Sequence, residues 1–297
     1  MTQPLPVWRS MLFVPALNDR FIEGAPRRGA DCIQIDLEDS IPPDLKDKAR
    51  DRVAAVAGAL SVQGLDVVVR INRPWRIAIR DLEASVGPHV MAINLPKVPN
   101  AAHVRAVGEV LAELEQAAGL PVGHTRIVAM IETAEGLLEM TAIAAAPRVV
   151  AITVGAEDLA VSMGMEPVEE ALYVPNVQAV AAARAAGVLP IGYVGSVANY
   201  ADREAYRRTA ERARALGFAG GFCIHPDQVP ILNAAFSPRP EEVAAAHELI
   251  AAYEQAQAEG RGAIAWKGAM VDQPVIDRAR LLLQRHAAVE ERQSRKP

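Results

Sequence analysis

Two acidic residues each end a run of small and β-branched residues. The run RIVAMIE ends at Glu132, and the run RVVAITVGAED ends at Asp158. A buried strand that stops at an acid places that acid at the carboxyl edge of a parallel sheet, where barrels and open α/β sheets keep their chemistry. If the two strands are parallel neighbours, their backbones lie about 4.8 Å apart. Two such carboxylates suit one hard divalent cation such as Mg²⁺, which keeps further positions for water and substrate oxygens.

Helix capping is the alternative role for these acids. Asp158 could cap a helix at LAVSM, and Thr133 with Glu135 could begin the helix after the first run. Capping is a good explanation for one isolated acid. It explains the pair less well, because both acids follow consecutive candidate strands, and the metal interpretation is therefore favoured for Glu132 and Asp158 together.

An arginine and three acids stand at two earlier strand ends. Arg70 ends VVVRIN, and the run DLED covers residues 36–39. The guanidinium fork suits a carboxylate bidentately, so Arg70 either clamps a substrate carboxylate or pairs with Asp36 or Glu38. One acid of DLED could orient the waters of a metal ion. Asp39 is more readily explained as a helix cap.

Three further basic or titratable residues lie near strand ends. Lys97 in INLPKV could be a Schiff-base lysine, a substrate contact or a charge partner. A metal-dependent site needs no Schiff base, so the charge-partner role is favoured. Arg20 lies just past the first candidate strand, where it could meet a phosphate or remain a solvated helix charge. His225 in CIHPDQV could be an acid/base group, but a structural hydrogen bond is favoured.

Strand-like and helix-like runs alternate along the chain and must position these residues. The candidate strands are Met11–Pro15, Cys32–Leu37, Val67–Ile71, Met91–Pro96, Ile127–Ile131, Val149–Val154, Pro190–Val194 and Phe222–Ile224. The candidate helices lie near 18–29, 44–60, 77–86, 100–118, 133–145, 167–186, 200–215 and 227–235. The strands are apolar without strict alternation, as expected when both faces are covered.

This alternation predicts an α/β fold, a (β/α)₈ TIM barrel over residues 1–236. A doubly wound open sheet is the alternative, but no glycine-rich dinucleotide fingerprint follows an early strand. Beyond residue 236 the pattern changes to a helix, a glycine-rich connection and a last helix at 274–289. Residues 237–297 are too few for an independent domain, so they form a C-terminal helical extension that packs on the barrel or reaches a neighbouring subunit.

Composition excludes several classes of protein. The 297 residues carry a net charge of −5, which gives no reason to expect nucleic acid or an anionic membrane surface as a partner. No apolar stretch approaches the roughly 20 residues of a membrane span, and the N-terminus lacks the order of a signal peptide. Cys32 and Cys223 lie in apolar runs and are expected to be buried thiols, so the predicted location is the cytoplasm.

Eight sequence pieces together resemble the citrate lyase β-subunit-like branch of the HpcH/HpaI aldolase superfamily. They run in family order and cover nearly the whole chain. The pieces are RSMLFVP (9–15), GADCIQIDLEDSIPP (29–43), VVVRIN (67–72), LPKV (95–98), MIETAEG (130–136), VGAEDLA (154–160), CIHPDQV (223–229) and GAMVDQP (268–274).

The resemblance implies a (β/α)₈ barrel that assembles as a trimer or hexamer and uses Mg²⁺, or Mn²⁺, on coenzyme A thioesters. Glu132 and Asp158 would be the metal ligands, and Arg70 would bind the oxo-acid carboxylate, with Asp36 and Lys97 beside it. The GAMVDQP segment is similar to the C-terminal lid of the malyl-CoA and citramalyl-CoA lyases. Its Asp272 would then act in the active site of the adjacent subunit. Capping of the helix that begins at Pro274 is the alternative for Asp272.

The expected function is therefore Mg²⁺-dependent cleavage or formation of the C–C bond between an acyl-CoA and an α-keto acid. Malyl-CoA or citramalyl-CoA would give acetyl-CoA plus glyoxylate or pyruvate. Alternatives are a malate synthase or malyl-CoA thioesterase, a citrate lyase β subunit that needs a carrier-protein thioester, an aldolase acting on free hydroxy-keto acids, and a barrel that only binds a dicarboxylate or CoA.

Overall fold

A computed structural model describes residues 4–195 and 202–295 of the chain. The chain divides into two compact units, Met1–Phe236 and Ser237–Pro297. The first unit contains eight parallel strands and the helices between them. The second contains two long helices and a short hairpin.

The first unit is a barrel of eight parallel strands. The strands are β1 Ser10–Pro15, β2 Cys32–Asp36, β3 Asp66–Arg70, β4 Ala92–Leu95, β5 Arg126–Ile131, β6 Val149–Val154, β7 Leu189–Pro190 and β8 Gly221–Cys223. Each strand from β1 to β6 pairs in parallel with the next, and β1 also pairs with β8. A parallel bridge between Ile191 and Gly220 joins the two ends of this sheet. The predicted (β/α)₈ barrel is confirmed.

Two apolar clusters cover the two faces of the barrel sheet. Ile33 packs in the large cluster that includes helix residues such as Val53. Its neighbour Cys32 belongs to a second cluster with Met11 and Val68. Since successive residues of a strand point to opposite faces, the second cluster fills the inside of the ring and the first lies under the helices. The absence of strict alternation in the sequence follows from this double burial.

The amino-terminal end of the barrel is filled by a buried ion pair. The Arg9 guanidinium donates to both carboxylate oxygens of Asp31, at 2.8 and 2.9 Å, and both residues are fully buried. The Trp8 indole donates to Asp66 at 2.7 Å. The carboxyl end of the strands is thus the end that remains for ligand binding, as in other barrels of this architecture.

The helices of the first unit follow the predicted order with several differences in length. They are α1 Asp19–Gly24, α2 Lys46–Arg50, α3 Val53–Ser61, α4 Trp75–Ser85, α5 Ala101–Ala117, α6 Ala134–Leu138, α7 Met140–Ala144, α8 Ala156–Met163, α9 Glu169–Ala186, α10 Arg203–Leu216 and α11 Gln228–Ala235. Three predicted helices, 18–29, 44–60 and 133–145, are each divided in two. In the first, Pro26 follows α1 and lies in a separate 3₁₀ turn, because proline cannot donate the next helical hydrogen bond. The start of the predicted helix 200–215 lies outside the described residues.

The second unit is a helical hairpin that carries a small β-hairpin. Helix α12 spans Pro240–Ala258, the antiparallel strands β9 and β10 span Ile264–Trp266 and Ala269–Val271, and α13 spans Gln273–Ser294. The β-hairpin lies in the predicted glycine-rich connection between the two helices. A small apolar cluster joins α12, β10 and α13. Within the described residues, none of the helices has the length and apolarity needed to cross a bilayer.

Candidate active site

Glu132 and Asp158 follow two neighbouring parallel strands. Strand β5 ends at Ile131 and pairs with β6, so Glu132 stands at the carboxyl edge of the barrel. Strand β6 ends at Val154, as the candidate strand Val149–Val154 does, so the run that reaches Asp158 is not strand throughout. Asp158 instead lies in the first turn of α8, where a carboxylate is favoured by the positive end of the helix dipole.

The two capping alternatives have different outcomes in the structure. Gly155 is the N-cap residue of α8, so Asp158 is not a cap. Thr133 does cap α6, because its side chain accepts a hydrogen bond from the Gly136 amide at 3.1 Å. Glu132 therefore does not cap this helix, and its carboxylate faces the site.

Glu132 is a buried carboxylate that has one strong backbone donor. Glu132 is 4 % exposed, and its Oε2 accepts a hydrogen bond from the Lys97 amide at 2.8 Å. Burial raises the pKa of Glu132 to about 7, and the nearby positive charge of Lys97 offsets this only in part. A bound cation would stabilise the charged form of a carboxylate that burial destabilises in this way.

Gly155 packs directly against the Glu132 carboxylate. A Cβ atom at Gly155 would lie 2.4 Å from Oε1 and 2.5 Å from Cγ of Glu132. Because contacts this short do not occur between non-bonded atoms, the Glu132 side chain occupies space that any residue larger than glycine would fill. Close approach of this kind explains a glycine at the end of a strand.

Lys97 is a charge partner of two acids. Its ammonium lies 3.0 Å from Asp158 Oδ2 and 3.2 Å from Glu38 Oε1. Burial opposes the charge, but the Asp158 bond and the negative charge of Glu132 raise the pKa of Lys97 above its usual range. Lys97 also has a positive φ of 49°, an unusual conformation for a residue with a Cβ atom. This backbone turn directs the Lys97 amide to Glu132.

Arg70 pairs with three acids in this structure. Its Nε and Nη2 donate to the two oxygens of Asp36 at 2.7 and 2.9 Å. Its Nη1 lies 3.1 Å from both Glu38 and Asp39. The ion-pair alternative for Arg70 is thus present, and any contact with a substrate carboxylate must be made beside these partners or in place of one of them.

A single cavity of about 510 Å³ brings most of the predicted site residues together. Its polar wall consists of Asp36, Asp39, Ser40, Arg70, Glu132, Glu157 and Asp158. Its apolar wall includes Phe13, Phe21, Met130, Tyr193, Phe222 and Ile224. Lys97 supports this cavity through its contacts with Glu132 and Asp158. A polar wall opposite an aromatic one suits a ligand with an anionic end and an apolar end.

The acidic wall fits a magnesium ion. Five acids, Asp36, Glu38, Asp39, Glu132 and Asp158, outnumber the basic groups of Arg70, Lys97 and Lys46 that lie among them. Carboxylate oxygens are the ligands that Mg²⁺ prefers. The part of the chain that the structure describes has no ready cluster of three or more His, Cys, Asp or Glu side chains for a metal. Two carboxylates with water and substrate oxygens match the way Mg²⁺ is usually held.

Arg20 lines a second cavity, and Asp272 belongs to the second unit. Arg20 is an exposed residue of α1 and lines a second cavity of about 210 Å³ with Arg28 and His225. This cavity shares Phe13, Phe21 and Ile224 with the first one. Asp272 belongs to the second unit, at the N-cap position of α13. Its side chain makes no capping hydrogen bond there, so the helix does not use its carboxylate.

The sequence interpretation missed two contributors to the site. Gly155 carries no chemistry of its own, and only its place between a buried strand and an acidic helix start could have indicated a close approach. Glu38 was predicted only as a possible ion-pair partner of Arg70, with no further role in the site. In the structure it is the buried link between Arg70 and Lys97, and burial raises its pKa despite these two cations.

Comparisons with known proteins agree with this geometry. The model of the HpcH/HpaI aldolase/citrate lyase family matches residues 9–226. The citrate lyase subunit beta of Leuconostoc mesenteroides subsp. cremoris is 35% identical over 280 residues, which cover 93% of this chain and 92% of that subunit. The L-malyl-CoA/beta-methylmalyl-CoA lyase of Cereibacter sphaeroides is 35% identical over 301 residues, which cover 93% of both chains.

A solved structure shares the fold. Protein CitE from Mycobacterium tuberculosis, in complex with magnesium, acetoacetate and coenzyme A, superposes with a TM-score of 0.75 at 30% identity. The match covers 94% of this chain and 97% of that one. The strand-end motifs, the barrel and these matches lead to one conclusion: the chain belongs to the HpcH/HpaI aldolase/citrate lyase family.

Proposed function

We propose that this protein is a Mg²⁺-dependent acyl-CoA lyase, which breaks or forms the C–C bond between an acyl-CoA and a 2-oxo acid. The observation that carries the proposal is the arrangement of Glu132, Asp158 and Arg70 around one cavity. Relatives named for citrate and malyl-CoA lyase activities, and a neighbour solved with magnesium and coenzyme A, support it.

Glu132 and Asp158 would hold the metal ion through carboxylate oxygens. When bound, Mg²⁺ would act as a Lewis acid on the oxygen of the forming or reacting oxo group. Mn²⁺ takes similar oxygen ligands and is expected to substitute. Lys97 keeps the two carboxylates in place, because its amide donates to Glu132 and its ammonium pairs with Asp158.

Arg70 would bind the carboxylate of the oxo-acid portion and so orient the bond that breaks. Asp36 holds the guanidinium in a fixed plane through two parallel hydrogen bonds. On cleavage, the substrate hydroxyl gives up one proton and the acetyl-CoA enolate takes up one at carbon, so no proton is consumed overall. Because Asp36 fixes the Arg70 guanidinium, the substrate carboxylate bound to it would stay in place while the C–C bond breaks.

The acid that protonates the enolate is proposed to be Asp272 of an adjacent subunit. In the condensation direction the same carboxylate would remove the α-proton. Support comes from the family resemblance of GAMVDQP and from the absence of a capping bond to the Asp272 side chain. Residues 237–297 would thereby act as a lid in the assembled protein. Arg20 is proposed to contact a phosphate of coenzyme A at the neighbouring cavity.

Product analysis separates this proposal from its alternatives. We expect malyl-CoA or citramalyl-CoA to give acetyl-CoA and a 2-oxo acid, with no release of free thiol. Free thiol plus malate would identify a thioesterase or a malate synthase. Activity restricted to a carrier-protein thioester would identify a citrate lyase β subunit.

We propose that the chain forms a trimer or hexamer through an apolar surface on the first unit. Leu138 and Val161 expose 89% and 84% of their surfaces, and Leu138, Met163 and Val174 line one groove. Monomeric proteins rarely expose contiguous apolar patches beyond a few hundred Å². Self-association also suits a lid that acts in a neighbouring subunit.

Charge substitution in this groove tests the assembly. We expect Leu138→Glu to lower the mass measured by light scattering to that of a smaller species, because the interface would bury an unpaired charge. Val62→Glu is the control, since Val62 is 74% exposed on α3 and away from the groove. A monomeric wild type, or an unchanged mass for Leu138→Glu, would contradict this interface.

The proposed location is the cytoplasm. Cys32 and Cys223 are buried and form no disulfide, as is usual for a protein kept in a reducing compartment.

A further inference from the structure

The Arg70 guanidinium has a carboxylate oxygen beside each of its nitrogens. Nε and Nη2 are taken by Asp36, and Nη1 lies 3.1 Å from Glu38 and 3.1 Å from Asp39. A substrate carboxylate that binds Arg70 through Nη1 therefore competes with Glu38 and Asp39 for that nitrogen. Which partner leaves depends on how firmly each is held.

Two of the three partners are fixed by other contacts. Asp36 is buried and also accepts from the amides of Glu38 and Ser40, at 3.0 and 3.1 Å. Glu38 is buried and bound to the Lys97 ammonium at 3.2 Å. These contacts hold both carboxylates beside Arg70, and moving either away would separate two buried opposite charges, which is unfavourable.

Asp39 differs from both. Its side chain is 64% exposed, whereas that of Arg70 is 12% exposed. Across residues 4–195 and 202–295, Asp39 makes no other hydrogen bond or ion pair. An exposed ion pair of this kind contributes little stability, so water can solvate Asp39 as soon as it is displaced.

Asp39 also lies on the side of Arg70 from which a ligand arrives. Asp39, Arg70 and Glu132 line the 510 Å³ cavity, and Glu38 does not. We infer that Asp39 is a specificity-determining residue. Its carboxylate occupies Nη1 of Arg70 when no substrate is bound, and the substrate carboxylate displaces it from that nitrogen. This inference rests on the proposed function, in which Arg70 binds the oxo acid.

The competition sets the affinity for the oxo-acid anion. With Asp39 in place, an incoming carboxylate must displace one negative charge and then remain close to it. Coulomb's law gives roughly 1 kcal/mol for two unit charges about 4 Å apart in water, which corresponds to about a fivefold change in Kd. Loss of the Asp39 charge therefore strengthens binding of the anion, which is the opposite of the effect expected for an essential contact.

Calorimetric binding of pyruvate and glyoxylate to the full chain, with Mg²⁺ present, tests this role. We expect Asp39→Asn to lower Kd by about fivefold and the gain to shrink as the ionic strength rises. Pyruvamide, which has no carboxylate, should show no gain. Glu157→Gln is the matched control, because it removes one exposed negative charge from the same cavity at a residue without a contact to Arg70.

Each outcome is informative. Unchanged or weaker binding by Asp39→Asn, or an equal gain in Glu157→Gln, would overturn the role of Asp39 while leaving the proposed function in place. Failure of both the wild type and Asp39→Asn to bind either oxo acid would overturn the proposed function together with this inference.

Discussion

Glu132→Gln is expected to lose turnover by about a thousandfold or more, because a Lewis-acid metal supplies several kcal/mol of transition-state stabilisation. The amide has nearly the shape of the carboxylate but lacks its charge. Its nitrogen, or its neutral oxygen, would face the site where an anionic oxygen is required. Burial disfavours the charge of Glu132 and raises its pKa to about 7, so loss of that charge should cost the folded protein little stability.

Direct titration of Mg²⁺ or Mn²⁺ tests the same variant without reliance on turnover. We expect Glu132→Gln to bind the metal far more weakly than the wild type and to unfold at an equal or higher temperature. Glu135→Gln is the control, since Glu135 is an exposed acid in the first turn of the adjacent helix. Wild-type metal affinity in Glu132→Gln would show that the metal, if one is used, is held elsewhere.

Gly155→Ala is expected to reduce turnover and metal affinity by roughly tenfold to a hundredfold, the range found when a residue that orients a ligand is lost. The backbone of Gly155, with φ −87° and ψ 107°, suits any residue. The effect therefore comes from the new methyl group, which would lie 2.4 Å from Glu132 Oε1. The carboxylate must move away from it and from the Lys97 amide that holds it.

A matched control and a compensating variant separate this cause from a general loss of stability. Gly87→Ala introduces a methyl group with no heavy atom within 4 Å and should leave activity unchanged. Adding Glu132→Asp to Gly155→Ala shortens the acid and should restore part of the metal affinity. Wild-type activity in Gly155→Ala would mean that the Glu132 carboxylate has more room than the structure gives it.

The strand ends could be predicted from the sequence because burial on both faces leaves a simple pattern. Runs of β-branched residues marked β5 and β6, and the acid after β5 stands at the barrel edge as expected. The order of the eight strands follows from the rule that successive βα units lie side by side. The seventh strand was predicted less well, because β7 spans only Leu189–Pro190 and the closing bridge at Ile191 and Gly220 lies just past its end.

The local structure around Asp158 could not be predicted in the same way. The segment VGAED contains small residues that fit a strand or a helix start. Two signals together indicate the helix α8, namely the acidic residues of its first turn and Gly164 after its last residue. The close approach of Gly155 to Glu132 depends on how the consecutive strands β5 and β6 pair. The three acids around Arg70 likewise meet only when β2 and β3 pair.

The most direct test of the account is cleavage of malyl-CoA and citramalyl-CoA by the wild-type chain, with Mg²⁺ and with EDTA. The account predicts release of acetyl-CoA with glyoxylate or pyruvate in the presence of Mg²⁺, and loss of that activity in EDTA that added Mg²⁺ restores. Cleavage that continues unchanged in EDTA, or release of free CoA with no oxo acid, would contradict it.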